Sequence, residues 1–189
     1  MLGRAGRGEA RRGEAWHGEA WQGILSLSGE FIEILKEKGF ADNWDVLSLG
    51  CGIGQGELGL KNEQLTGVDI WDYSHTFPGT FIKYDIRKIL ELRPFDAFDL
   101  VIGLDIIEHL TREQGLKLIR DSETIAKKAV VFYTPIKWGD NKQDPSCWAY
   151  GNPYNVHKSL WQPEDFKGYE IRNPFPAETS EGFLAIRWL

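Results

Sequence analysis

The run Val46-Leu-Ser-Leu-Gly-Cys-Gly-Ile-Gly54 passes from a short apolar segment directly into three glycines at alternate positions. An apolar segment this short, closed by a glycine turn, predicts a buried strand. Glycines at 50, 52 and 54 permit positive φ and let a ligand lie against bare backbone. In open α/β sheets, the turn at the carboxyl end of the first strand is where nucleotides bind.

Outward from this turn, apolar runs and helical patterns alternate. Residues 65–69, 80–84, 98–103 and 129–134 read as the second to fifth strands. Thr111 and Gln114 form a capping-box pair at the start of a helix whose Leu116, Ile119 and Ile125 are expected to face inward. On the amino-terminal side Ile24, Leu27, Phe31, Ile34 and Leu35 recur at helical spacing, and Gly39 follows as a stop. Two late strands, about 168–173 and 182–188, are joined by a loop without helical pattern and are expected to pair antiparallel at one edge. The alternation predicts a Rossmann-like, doubly wound α/β fold. Its seven-stranded sheet is mostly parallel, carries an antiparallel edge strand and forms the middle of three α/β/α layers.

The 189 residues suffice for one domain with a substantial core. Residues 3–22 repeat Arg-Gly-Glu-Ala, Arg-Gly-Glu-Ala, His-Gly-Glu-Ala and show no apolar stripe. They read as a low-complexity extension over 1–22, leaving 23–189 as the domain. No apolar run is long enough to span a bilayer, no segment has the layout of a signal peptide, and Cys51 and Cys147 lack metal-type spacing. A cytoplasmic protein without membrane contact is expected. Net charge is −6, and the repeat itself carries +1, so the remainder is near −7. An acidic globule argues against a nucleic-acid substrate.

Three carboxylates follow the glycine turn at successive strand ends: Asp69 in Gly67-Val-Asp-Ile70, Asp85 in Tyr84-Asp-Ile86, and Asp105 in Gly103-Leu-Asp105. A carboxylate at the second strand's end can accept from both ribose hydroxyls, and one at the third can accept from an exocyclic adenine amine.

Gly50-Cys-Gly-Ile-Gly54, Gly67-Val-Asp69, Asp85 and Asp105-Ile-Ile-Glu-His-Leu110 together resemble successive motifs of the class I S-adenosylmethionine-dependent methyltransferases, the type 11-like domain among them. The resemblance spans about residues 24–189. It implies S-adenosylmethionine as cofactor, with Gly50, Cys51, Gly52 and Gly54 along the aminoacyl part, Asp69 and Ile70 at the ribose, Asp85 and Ile86 at the adenine, and Leu104 and Asp105 beside the methyl donor. The chain departs from that family's pattern twice. Ser48 stands where an acidic residue is usual, two before the first glycine. Only eleven residues, 70–80, separate Asp69 from Phe81, which leaves no room for the usual helix.

The sulfonium methyl is already activated, so such a protein mainly aligns a nucleophile; a hydroxyl nucleophile also needs a proton acceptor. His109, just after the fourth strand, and His157, in an aromatic-rich loop over 138–161, are the candidate acceptors. That loop is expected to recognise a small molecule, with Asn155 and His157 as polar groups among Trp138, Trp148, Tyr150, Tyr154 and Trp161. Asp105-x-x-Glu108-His109 also resembles the acidic-acidic-His metal motif of two methyltransferase groups, one making ubiquinone precursors and one capping small RNAs. Acidic residues at a helix start need no metal, and none is expected. The activity expected is methyl transfer to an oxygen or nitrogen of a small molecule. Two alternatives stand: an NAD-dependent oxidoreductase, whose Gly54-x-Gly-x-x-Gly59 fingerprint lies four residues out of register with the strand, and a non-catalytic S-adenosylmethionine-binding module.

Overall fold

A computed structural model describes residues 31–57, 59–92, 98–137, 149–173 and 182–189. The amino-terminal repeat, Ile24, Leu27, Cys147, Trp138 and Trp148 lie outside them. Seven strands form one sheet: β1 Val46–Leu49, β2 Leu65–Asp69, β3 Thr80–Lys83, β4 Leu100–Leu104, β5 Ala129–Pro135, β6 Glu170–Arg172 and β7 Gly182–Trp188. Their spatial order is β3-β2-β1-β4-β5-β7-β6. The first five run parallel; β7 pairs antiparallel with both β5 and β6. The two late strands do pair antiparallel at one end of the sheet, with β7 inside and the three-residue, charged β6 outermost, a composition suited to an edge.

The central strands are apolar throughout, as strands covered on both faces must be. Alternate residues serve opposite faces. Val46, Leu100, Ile102, Val131 and Leu184 pack beneath a helix described over 31–37 (α1), through its fully buried Phe31 and Leu35. Leu47, Val101, Val130, Phe132 and Ala185 pack on the other face, beneath helix α2, Arg112–Ile125. The capping box at Thr111 and Gln114 is formed, each side chain bonding the other residue's backbone N–H. One expectation about α2 is corrected. Leu116 is exposed, and the buried stripe runs through Gly115, Leu118, Ile119, Ser122 and Ile125. The stripe begins at a glycine because the Trp161 ring occupies the space a side chain would need there. A pattern built on large apolar residues cannot register that position.

The two connections that shape the nucleotide end are short. Among the described residues, 50–64 hold turns and the 3-10 turn Asn62–Gln64, with no α-helix after the glycines. Residues 70–79 also form turns, as the eleven-residue spacing requires. After β3 a kinked 3-10 segment, Ile86–Glu91, is capped by Asp85. Among the described residues no helix is long and apolar enough to cross a membrane.

Candidate functional site

The carboxyl ends of β1, β2 and β4 and the segment 149–158 enclose a cleft of about 670 Å³, its open mouth included. That is within the range of small-molecule sites. Its floor is the glycine turn. Gly50 has φ +67°, and a Cβ there would stand 2.3 Å from the Ile106 side chain, so backbone alone fits. Gly52 donates its N–H to Asp69 Oδ2 at 3.1 Å, and Trp71 donates to Oδ1 at 2.8 Å. Asp69 is thereby fixed in orientation with lone pairs to spare. Burial raises its pKa, opposed by those two backbone donors.

Of the residues singled out from sequence, Gly50, Asp69, Ile70, Asp85, Ile86, Asp105 and His109 line the cleft. Cys51, Gly52, Gly54 and Leu104 are not among its lining residues and support it from behind. The buried Cys51 thiol sits against Gly67, and burial pushes its pKa up, so it is not a ready nucleophile. A Cβ on Gly54 would meet Pro78 at 2.5 Å, so the glycine lets the short 70–79 connection close over the loop. The Asp85 carboxylate is engaged by Arg87 through its Nε at 2.8 and 2.9 Å and its Nη2 at 2.5 Å. That guanidinium holds the Asp85 pKa below the usual carboxylate range. An adenine amine would have to share this carboxylate with Arg87.

Ser48 proves not to leave the first strand without an acid. Its hydroxyl donates to Glu57 Oε1, from the turn after the glycines. Glu57 is buried, and burial raises its pKa to about 7 against the opposing Ser48 bond. A residue nine positions away in sequence supplies this carboxylate, which inspection of position 48 alone could not show.

At the end of β4 the chain turns sharply. Asp105 has φ +51°, the only non-glycine residue in the left-handed region among those described. Such strain tends to persist where function holds it. The turn places Asp105, Ile106 and, from the 3-10 segment Ile107–His109, His109 at the cleft. Burial raises the pKa of Asp105, opposed by its hydrogen bond with Glu108, and burial together with the neighbouring Asp105 raises that of Glu108. The Glu108 carboxylate accepts from Thr134 Oγ1 at 3.1 Å.

His157 reaches this turn from the far segment. The Glu108 carbonyl accepts from Lys158 N at 2.7 Å and Ser159 N at 3.1 Å; Ser159 Oγ donates to the Leu110 carbonyl at 2.9 Å, and Trp161 Nε1 to the Ile107 carbonyl at 3.2 Å. The His109 and His157 rings consequently meet edge to face, 4.9 Å between centroids. Burial, then the neighbouring His157, lowers the His109 pKa to about 4, and burial lowers that of His157. His109 is therefore a neutral imidazole at pH 7.

Sequence reasoning missed Tyr73 and Asn152, which join the two walls: Asn152 Nδ2, from the long connection between β5 and β6, donates to Tyr73 Oη, from the short 70–79 connection, at 3.1 Å. Ala149, Tyr154 and Asn155 complete the mouth beside them. A shortened 70–79 loop facing an aromatic segment was the available signal.

No protein-family profile matches the chain, and no curated protein matches it in sequence. Solved structures do match in fold. The magnesium protoporphyrin IX methyltransferase of Synechocystis PCC 6803 with bound S-adenosylhomocysteine is 14% identical, with a TM-score of 0.60 over 93% of this chain and 90% of that one. A SAM-dependent methyltransferase from Archaeoglobus fulgidus is 18% identical, TM-score 0.55, over 84% and 92%. One from Clostridium acetobutylicum ATCC 824 is 14% identical, TM-score 0.54, over 85% and 89%. The chain has the fold of the S-adenosylmethionine-dependent methyltransferases.

Proposed function

We propose that this protein is an S-adenosylmethionine-dependent methyltransferase acting on an oxygen or nitrogen atom of a small molecule. One observation carries the reading: Asp69 is buried, oriented by Gly52 of the glycine turn, and opens onto the same cleft as Asp85, Asp105 and His109. The residues present fit the cofactor. The bare backbone at Gly50 accepts a close ligand, and Asp69 retains lone pairs for a ribose diol. The bound cofactor supplies a methyl group on a positively charged sulfur, and the carboxylate-lined cleft suits that charge.

The chain's own residues then do three things. Asp69 and the glycine turn hold the nucleoside. Tyr73, Asn152 and Tyr154 close the mouth around a small acceptor. Neutral His109, with His157 beside it, stands where the acceptor's proton has to go. The NAD reading loses support because no helix N-terminus among the described residues meets the glycine turn to receive a pyrophosphate. A small acceptor rather than a polyanion follows from net charge and from the modest cleft.

Calorimetry with S-adenosylmethionine and with NAD tests the class. Binding of the first alone is expected. Asp69→Ala should lose one or two charge-assisted hydrogen bonds, about 1.5–3 kcal/mol each, or more than tenfold in affinity. Unchanged affinity in that variant would rule out the assignment.

A further inference from the structure

Among the residues lining the cleft, the cationic side chains are Arg87 and Lys158. Arg87 is committed to the Asp85 carboxylate. Lys158 pairs with no carboxylate among the described residues. We propose that Lys158 is an anion-binding subsite and that the acceptor molecule is a small hydroxy acid, its carboxylate held by Lys158 and its hydroxyl by Nδ1 of His109. This names the substrate class within the methyltransferase reading, on which it rests.

The base of Lys158 is fixed. Its backbone N–H donates to the Glu108 carbonyl at 2.7 Å, and Ser159 ties the next residue to the same turn through its N–H at 3.1 Å and its Oγ, which donates to the Leu110 carbonyl at 2.9 Å. The exposed ammonium is thus anchored to the turn that carries His109, which reduces the freedom lost when it takes a partner. Nδ1 of His109 is buried without a hydrogen-bond partner, while the Val156 carbonyl accepts from the ring. That bond therefore falls to Nε2 and leaves an unshared lone pair on Nδ1. A buried acceptor left unmatched is costly, and a substrate O–H would satisfy it. A protonated amine there would meet the like charge of Lys158, so the pairing favours a hydroxyl. The two groups are also coupled. Burial, then His157, then the Lys158 charge lower the His109 pKa, against the Val156 bond. A carboxylate seated on Lys158 offsets the last of these and makes His109 a better proton acceptor only when the substrate is in place.

Ile106, Leu110, Ala149 and the rings of Tyr73 and Tyr154 supply apolar surface for the carbon frame of such an acid. The carboxylates of the cleft do not bar it. Asp85 is paired with Arg87, Asp69 is bonded to Gly52 and Trp71, and burial lifts the Asp105 pKa to about 7. A single carboxylate asks for one cation, whereas a polyanion asks for a row of them, which a chain of net charge −6 does not offer at this mouth.

Salicylate, para-hydroxybenzoate, mandelate and para-coumarate are each titrated into the full chain beside their neutral primary amides and their analogues lacking the hydroxyl, with and without S-adenosylhomocysteine. At least one acid should bind about tenfold or more tightly than its amide, the size of a charge-assisted contact. The same acid should bind more tightly than its analogue without the hydroxyl. Lys158→Gln should erase the preference for the acid while leaving the amide's affinity, and Lys158→Arg should keep it; circular dichroism checks both folds. Arg87→Gln should keep the preference in the cofactor-free titration. No measurable binding of any acid at millimolar concentration overturns the proposal. So does an acid bound no better than its amide, a preference that survives Lys158→Gln or vanishes with Arg87→Gln alone, or an analogue without the hydroxyl bound as tightly. S-adenosylmethionine binding is measured on the same samples. Cofactor binding without any preference for the acid sinks this inference alone, and a Lys158-dependent preference without cofactor binding sinks the cofactor assignment and leaves the anion subsite standing.

Discussion

Glu57 combines a carboxyl group, complete burial and a hydroxyl partner without a cation. Its pKa is raised from 4.5 to about 7, so the folded state holds a proton that the unfolded chain releases across that interval. The stabilising contribution is therefore full below about pH 4.5 and is lost as pH rises through 7. A shift of this size corresponds to about 3 kcal/mol. Glu57→Gln keeps the shape and the Ser48 bond but cannot ionise. Urea melts of both proteins from pH 5 to pH 8 should show the variant gaining on the wild type as pH rises. A constant difference would mean that Glu57 is ionised throughout. The cleft face of the same loop is sensitive in another way. Gly50→Ala forces positive φ on a side chain and drives a Cβ into Ile106, so S-adenosylmethionine affinity should fall along with stability.

At the scale of elements, α2 shows what a sequence pattern can and cannot carry. Thr111 and Gln114 announce the helix start because capping chemistry is local, and the box is formed as the residues suggest. Thr111→Ala should cost about 0.5–2 kcal/mol in chemical denaturation. Gly115 is the opposite case. An alanine in a helix interior ordinarily stabilises by up to about 1 kcal/mol. Here its Cβ would sit 2.3 Å from Trp161 Cζ2, so Gly115→Ala should instead destabilise by about 1–3 kcal/mol. The strands were legible for the same reason as the cap: β1, β2 and β7 are apolar runs ended by glycine or charge, and their limits coincide with the expected ones. Asp69 and Asp105 were legible because strand ends place them. Glu57, Asn152 and the meeting of His157 with His109 were not, since each depends on a distant segment folding back. No periodicity encodes such contacts.

Across the whole molecule the division of labour is spatial. The parallel half of the sheet presents the glycine turn and Asp69, and the connection between β5 and β6 presents Asn152, Tyr154 and His157. The 1–22 repeat, with glycine every few residues and no apolar face, should be removable without a fall in melting temperature; a clear fall would show that it packs. Gel-shift titrations with single-stranded RNA and DNA should show no tight, salt-sensitive complex, given a charge near −7 outside that repeat.

β7 lies between β5 and β6, and its partner β5 is buried along almost its whole length. During synthesis β5 leaves the ribosome some fifty residues before β7 does. For that interval the nascent sheet exposes one bare apolar edge, the kind of surface on which chains stick to one another. Completion of the fold is thus tied to the passage of residues 182–188 out of the exit tunnel. A stop codon after position 173 should yield an aggregated product even though every residue assigned here to the cleft has been made. A strand that lends no residue to the cleft thus sets the moment at which the nascent sheet loses its bare edge.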